Sequence, residues 1–132
     1  MKSKFQFNTP TLLGFQYFIN KEFENNGEQS VAIELKTKIQ VNRNPDDREA
    51  FVVLTVDIGE QSVKAPFYIM AEEGATFRWD TDLSDEKQIQ NLLNQNAPAL
   101  LLSYLRPIVA GVTSASYFGT YHIPFINFVV NK

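Results

Sequence analysis

Apolar and polar residues alternate with a period of two through most of residues 12–69 and with a helical period after residue 84. The chain thus divides into a β part and an α end. Leu13, Phe15 and Tyr17 share one face of a strand over residues 12–18, and Asn25-Asn26-Gly27 reads as the turn that closes it. A second strand spans residues 31–41. Val31, Ile33, Leu35, Ile39 and Val41 face one way, Glu34, Lys36, Lys38 and Gln40 the other, and only Thr37 interrupts the apolar row. That is a half-buried antiparallel strand with one wet face. Residues 42–47, Asn-Arg-Asn-Pro-Asp-Asp, have the composition of a turn. A third strand over residues 50–58 carries the row Val52, Leu54, Val56 and Ile58, with Phe51 and Val53 on its other face, as a central strand would. Gly59-Glu60 turns into a fourth strand on which Val63, Ala65, Phe67 and Ile69 alternate. Pro66 belongs where no ladder N–H is needed, at an edge or a bulge, and Gly74 is expected to break or bulge the strand before Phe77 and Trp79.

After Asp80 the period changes. Ser84 is the expected N-cap, with Asp85 and Glu86 in the first turn and Ile89, Leu92 and Leu93 at helical spacing. Asn94-Gln95-Asn96 interrupts, and Pro98 suits the first turn of a new helix. Leu101, Leu105, Ile108, Val109 and Val112 then form one apolar stripe. Pro107 removes the bond to the Ser103 carbonyl, so the helix is expected to kink or to be strained there. Arg106 lies off the centre of the stripe, either as a rim residue paired with a carboxylate or as a fixed charge that organises a subunit contact. The segment from Tyr117 to Val130 is apolar and aromatic without clear periodicity. The pattern predicts an α+β fold: a four-stranded antiparallel sheet of sequence neighbours, followed by a long C-terminal helix packed on one face. Residues 1–132 are expected to form a single domain.

Composition narrows the function. With 44% hydrophobic residues and 11 Phe, the chain can fill a core and still leave apolar surface for a partner or another subunit. A net charge of -3 without a basic run argues against nucleic acid. The start, Met-Lys-Ser-Lys, leads into no apolar run, and no 18-residue apolar stretch follows, so no membrane insertion and a cytoplasmic location are expected. One histidine and no cysteine cannot build an ordinary zinc site, and the Asp46-Asp47 and Glu72-Glu73 pairs read as solvated charges. His122 sits in an aromatic tail, and neither a Gly-x-Ser-x-Gly elbow nor a glycine-clustered phosphate loop occurs. The expectation is a protein that is not an enzyme and uses no cofactor and no metal.

The segment 98–128 carries a more specific signal. It supplies Pro98, Leu100, Leu101, Tyr104, Arg106, Ser114, Phe118, Pro124, Asn127 and Phe128 in one ungapped run. This resembles the helix-plus-tail signature of the SecB protein-export chaperones, and Ala71 to Phe77 resembles the glycine-and-aromatic end of that family's fourth strand. The resemblance implies a sheet backed by a long helix and a homo-oligomer, dimer or dimer of dimers, with Leu101, Tyr104, Leu105, Arg106 and Ile108 in helix packing and subunit contacts. It also implies an ATP-independent holdase for unfolded or partly folded polypeptides. Phe118 and Phe128 are the matched aromatics, with Trp79, Tyr121 and Phe125 as candidates by position. The same five residues could equally fill a core or a subunit interface. The chain departs from the family in having Ser103 where a proline is frequent, Pro107 where it is not, and Tyr117-Phe118-Gly119 in place of Gly-Phe-Pro. The expectation is a short, divergent member without the family's second helix and acidic zinc-binding tail. Two alternatives stand beside the general holdase: a module of the same shape dedicated to one protein partner, and a carrier or enzyme that uses the space between sheet and helix.

Overall fold

The computed structural model describes residues 5–23, 32–44, 46–62 and 64–129. Five strands, β1 (Phe5–Phe7), β2 (Thr11–Ile19), β3 (Leu35–Arg43), β4 (Glu49–Gly59) and β5 (Phe67–Trp79), form one antiparallel sheet. The apolar row of β4, Ala50, Val52, Leu54, Val56 and Ile58, is buried, and the strand pairs with β3 on one side and β5 on the other. The far edge of β5 carries β2 and β1 in line: Phe5–Phe7 lies against Trp79–Phe77, and Thr11–Ile19 against Gly74–Phe67.

The number of strands and their pairing both differ from expectation. The sheet has five strands rather than four, because residues 8–10 (Asn-Thr-Pro) split the edge row. Pro10 has no N–H to offer the ladder, while Asn8 N still donates to the Thr76 carbonyl at 3.0 Å. Sequence neighbours also do not all pair: β2 joins β5, not β3, so these consecutive strands lie at opposite sheet edges. The turn at Asn25-Asn26-Gly27, together with Val31 and Val63, lies outside the described residues. The described part of the second strand starts at Leu35, four residues later than its alternation suggests. Pro66 lies just before β5, and its carbonyl accepts the Asn20 N–H at 2.8 Å.

Gly74 does not break β5, which runs unbroken to Trp79. The bulge is on the partner strand, where Leu12 pairs with Glu73 and Gly14 with Glu72, leaving Leu13 as the extra residue. A Cβ on Gly74 would come within 2.8 Å of Leu13 Cδ1 and 2.9 Å of Phe51 Cζ. Leu13 therefore lies over Gly74 on the face opposite the one that Phe15 and Tyr17 share.

The helical end is continuous. α1 (Glu86–Asn91) passes through a π-helical turn (Leu92–Asn96) into α2 (Ala97–Thr113). Asp85 rather than Ser84 is the N-cap, its carboxylate accepting the Lys87 N–H at 3.1 Å. Asn94-Gln95-Asn96 does not interrupt the helix: Ala97 N donates to the Leu92 carbonyl, five residues back, and Asn94 Nδ2 to the Gln90 carbonyl at 2.8 Å. α2 continues through the exposed Pro107 to Thr113. It lies on β4 and β5 and buries Ala97, Leu101, Leu102, Leu105 and Val109. Ile108 is half-buried, and Val112, expected in the stripe, is exposed. Glu73, expected in solvent, is buried on the helix-facing side of β5, whereas Asp46 and Asp47 are exposed.

Candidate functional site

The aromatic residues converge at one end of the sheet. Phe67 opens β5 and meets Tyr17 of β2 edge-on at 6.0 Å, Tyr121 at 5.6 Å and Phe118 at 6.3 Å. Phe118 also contacts Phe23 at 6.5 Å and Tyr117 at 4.9 Å. The Tyr17 hydroxyl bonds Ser116 Oγ at 2.8 Å and so joins the edge strand to the turn after α2. Burial of Tyr121 raises its phenol above the usual value, which keeps the ring neutral.

The segment after α2 reaches this cluster because it folds back along the helix. Thr113, buried at the end of α2, donates from Oγ1 to the Val109 carbonyl at 2.8 Å and accepts the Tyr121 N–H at 2.8 Å. Gly119, at φ 81°, supplies the left-handed turn between them. Arg106 Nε donates to the Ile123 carbonyl at 2.9 Å, and the Ile123 side chain is fully buried. Within the chain, the partner of Arg106 is therefore a backbone carbonyl rather than the carboxylate that its position suggested.

Next to the cluster is a cleft of about 390 Å³, lined by Phe18, Ile19, Phe67 and Tyr68 and by residues 60–62 of the β4–β5 connection. Phe18 stacks on Tyr68 at 6.4 Å and is still 52% exposed. The Tyr68 hydroxyl donates to Asp57 Oδ1 at 2.6 Å, and this bond to a carboxylate raises its pKa. The cleft takes in the last two residues of β2, a strand whose inner edge pairs with β5 and whose other edge faces away from it. That edge pairs with no other strand among the described residues, and β2 contains no charged residue.

The residues singled out from sequence scatter around this centre. Phe118 and Tyr121 belong to the cluster, half-buried, and Phe128 is half-buried against the core. Phe125 is 81% exposed. Trp79 is 5% exposed and lies at the opposite end of β5, under the Arg43 guanidinium at 5.0 Å. Leu101 and Leu105 are buried against the sheet, while Tyr104 and Arg106 face outward. Sequence reasoning missed Phe18, Ile19, Phe67 and Tyr68 as a surface. The signal available for it was the lack of charge along residues 11–19. Chemically, the arrangement offers apolar faces, the phenol hydroxyls of Tyr17, Tyr68, Tyr117 and Tyr121, and a strand edge that pairs with no other strand among the described residues. Among the described residues, no group of three or more His, Cys, Asp or Glu could hold a metal ion.

A family model described as preprotein translocase subunit SecB matches residues 16–130. Among solved structures, the Rv1957 SecB-like chaperone of Mycobacterium tuberculosis, in complex with a ChAD peptide from the Rv1956 HigA1 antitoxin, is similar with a TM-score of 0.72 and 16% identity. That match covers 93% of this chain and 91% of the other. A Streptococcus agalactiae protein of unknown function gives a TM-score of 0.49 at 14% identity, over 92% of this chain and 97% of its own. No curated protein matches.

Proposed function

Since the chain belongs to the SecB family, we propose that it is a cytoplasmic, ATP-independent chaperone that holds unfolded or partly folded polypeptides on the aromatic end of its sheet. The observation that carries this reading is the uncharged edge strand β2 beside the cleft of Phe18, Ile19, Phe67 and Tyr68. An unfolded client exposes apolar side chains and unpaired backbone groups together. An open strand edge bonds the backbone without reading sequence, and an aromatic cleft takes alternate side chains. Nothing in this arrangement calls for a nucleotide. Clients would be held by many weak contacts, not by one shaped pocket.

Stoichiometric amounts of the protein, without nucleotide, should suppress aggregation of several unrelated denatured clients. Absence of suppression across all of them would remove this reading. A second reading has one observation in its favour: a fold neighbour at 16% identity was solved with an antitoxin peptide bound. On that reading the same surface serves one dedicated protein partner. Affinity capture from the native cell distinguishes the two, because one stoichiometric partner differs from a spread of nascent chains.

A homo-oligomer is part of the proposal. The outward face of α2 exposes Tyr104 and Val112, and Arg106 is the only charged residue in that helix. A helix that is apolar nearly all round is normally covered on both sides. A second copy of this chain is the cover we infer.

A further inference from the structure

Glu73 has no role in the chaperone reading, yet it is the one charged side chain buried among the described residues, at 2% exposure. It stands on the helix-facing side of β5, opposite Leu54 of β4 and Leu12 of β2, between Ala71 and Ala75 of its own strand. Its Oε1 has no hydrogen-bond partner. Its neighbour Glu72 faces the other way and accepts a hydrogen bond from Thr55 Oγ1 at 2.8 Å.

The elements packed around Glu73 bring no cation to it. β1 and β2 contain no charged residue, and the helix-facing row of β4 is Ala50, Val52, Leu54, Val56 and Ile58. The helix-facing row of β3 ends in Arg43, which stacks on Trp79 and pairs with Glu86 of α1. The only charge on α2, Arg106, is exposed and bonded to the Ile123 carbonyl. His122, the only titratable imidazole, is exposed. An ionised carboxylate in this position would be desolvated with neither a countercharge nor a full set of hydrogen bonds, which disfavours the charged form.

We propose that Glu73 is a proton-controlled latch between the sheet and helix α2. Its neutral carboxyl lets the two layers close. Its ionisation draws water beneath the helix and loosens the contact, which uncovers the apolar underside. Burial holds the carboxyl above the ordinary value of 4.5. The folded chain then binds this proton more tightly than the unfolded chain does. Stability from this group is complete below the ordinary value and is lost as pH rises towards the folded value, after which the loss is constant. This direction is opposite to that of a salt-bridged carboxylate.

The test compares the full chain with Glu73→Gln and Glu73→Met, which remove the titration while keeping the side-chain length. Thermal melts and binding of the apolar dye bis-ANS are followed between about pH 5 and pH 9. Within the interval between the unfolded and folded pKa values, the unsubstituted chain should lose about 5 °C of melting temperature per pH unit. Both variants should lack that fall, and dye fluorescence should rise with pH only in the unsubstituted chain. The proposal is overturned if either variant keeps the fall. It is also overturned if the unsubstituted chain is more stable than both variants at the alkaline end, which would mean a charged carboxylate paired by a second copy. Failure of both variants to fold at every pH would overturn it too, since a neutral latch must tolerate neutral replacements.

Discussion

Gly59 and Gly74 show how one missing Cβ can serve two different purposes. Gly59 turns β4 into β5 at φ 75°, and a Cβ there would lie 2.1 Å from the Phe67 carbonyl oxygen. Both the backbone conformation and the backbone contact forbid a side chain, so Gly59→Ala should cost about 2–4 kcal/mol in urea unfolding. At Gly74 the obstructing atoms, Leu13 Cδ1 and Phe51 Cζ, are the ends of side chains. Leu13 is partly exposed and can move, so Gly74→Ala should cost only about 1 kcal/mol. The reverse order of the two losses would contradict the geometry. Gly59 was legible in the sequence because Gly-Glu between two alternating runs is a turn signal. Gly74 was legible as special but not in its purpose, since nothing local says that Leu13 and Phe51 cross above it. Glu73 was hidden for a related reason. Adjacent residues on a strand face opposite ways, so a Glu-Glu pair must put one member inwards once one face of the strand is covered.

The strand and helix stripes were legible wherever one face of an element is dry. β4 and the buried row of α2 follow their periods closely. Leu101→Ala should cost about 2–5 kcal/mol, because the side chain is fully buried between helix and sheet. Val112→Ala, at the exposed end of the expected stripe, should cost under about 0.5 kcal/mol in a dilute, unassembled chain. Equal losses in chemical unfolding would mean that α2 is rotated from its described face. What periodicity does not carry is which strands meet. β2 and β3 are consecutive and both amphipathic, yet they occupy opposite edges of the sheet. Their difference lies in charge: β3 places Lys36 and Lys38 on its wet face, whereas β2 has no charge at all. The three-residue β1 is too short to have a period. The polar run Asn94-Gln95-Asn96 misled for a different reason. The helix absorbs it in a wider turn, with the Asn94 amide bonded to the Gln90 carbonyl.

At the scale of the whole molecule, the β2 edge and the outer face of α2 are uncovered apolar regions among the described residues, and they call for different partners. Lysine on an edge strand discourages pairing with another chain, which suits the outer edge of β3. The β2 edge has no such guard and adjoins the aromatic cleft, so it suits an extended client. The outer face of α2 presents Tyr104, Val112 and a Gly111 with no neighbouring atom within 4 Å of a Cβ position, so it suits a flat, close contact with a second copy. These roles can be separated. Phe18→Lys adds a charge at the cleft and should weaken holding of denatured clients at least about fivefold while leaving particle size in light scattering unchanged. Tyr104→Glu should reduce particle size at micromolar concentration while the melting curve of the dissociated chain keeps its midpoint, because that ring is not in the core. If Phe18→Lys dissociates the particle and Tyr104→Glu abolishes holding instead, the assignments are exchanged: copies would pair through the sheet edge and clients would lie along the helix.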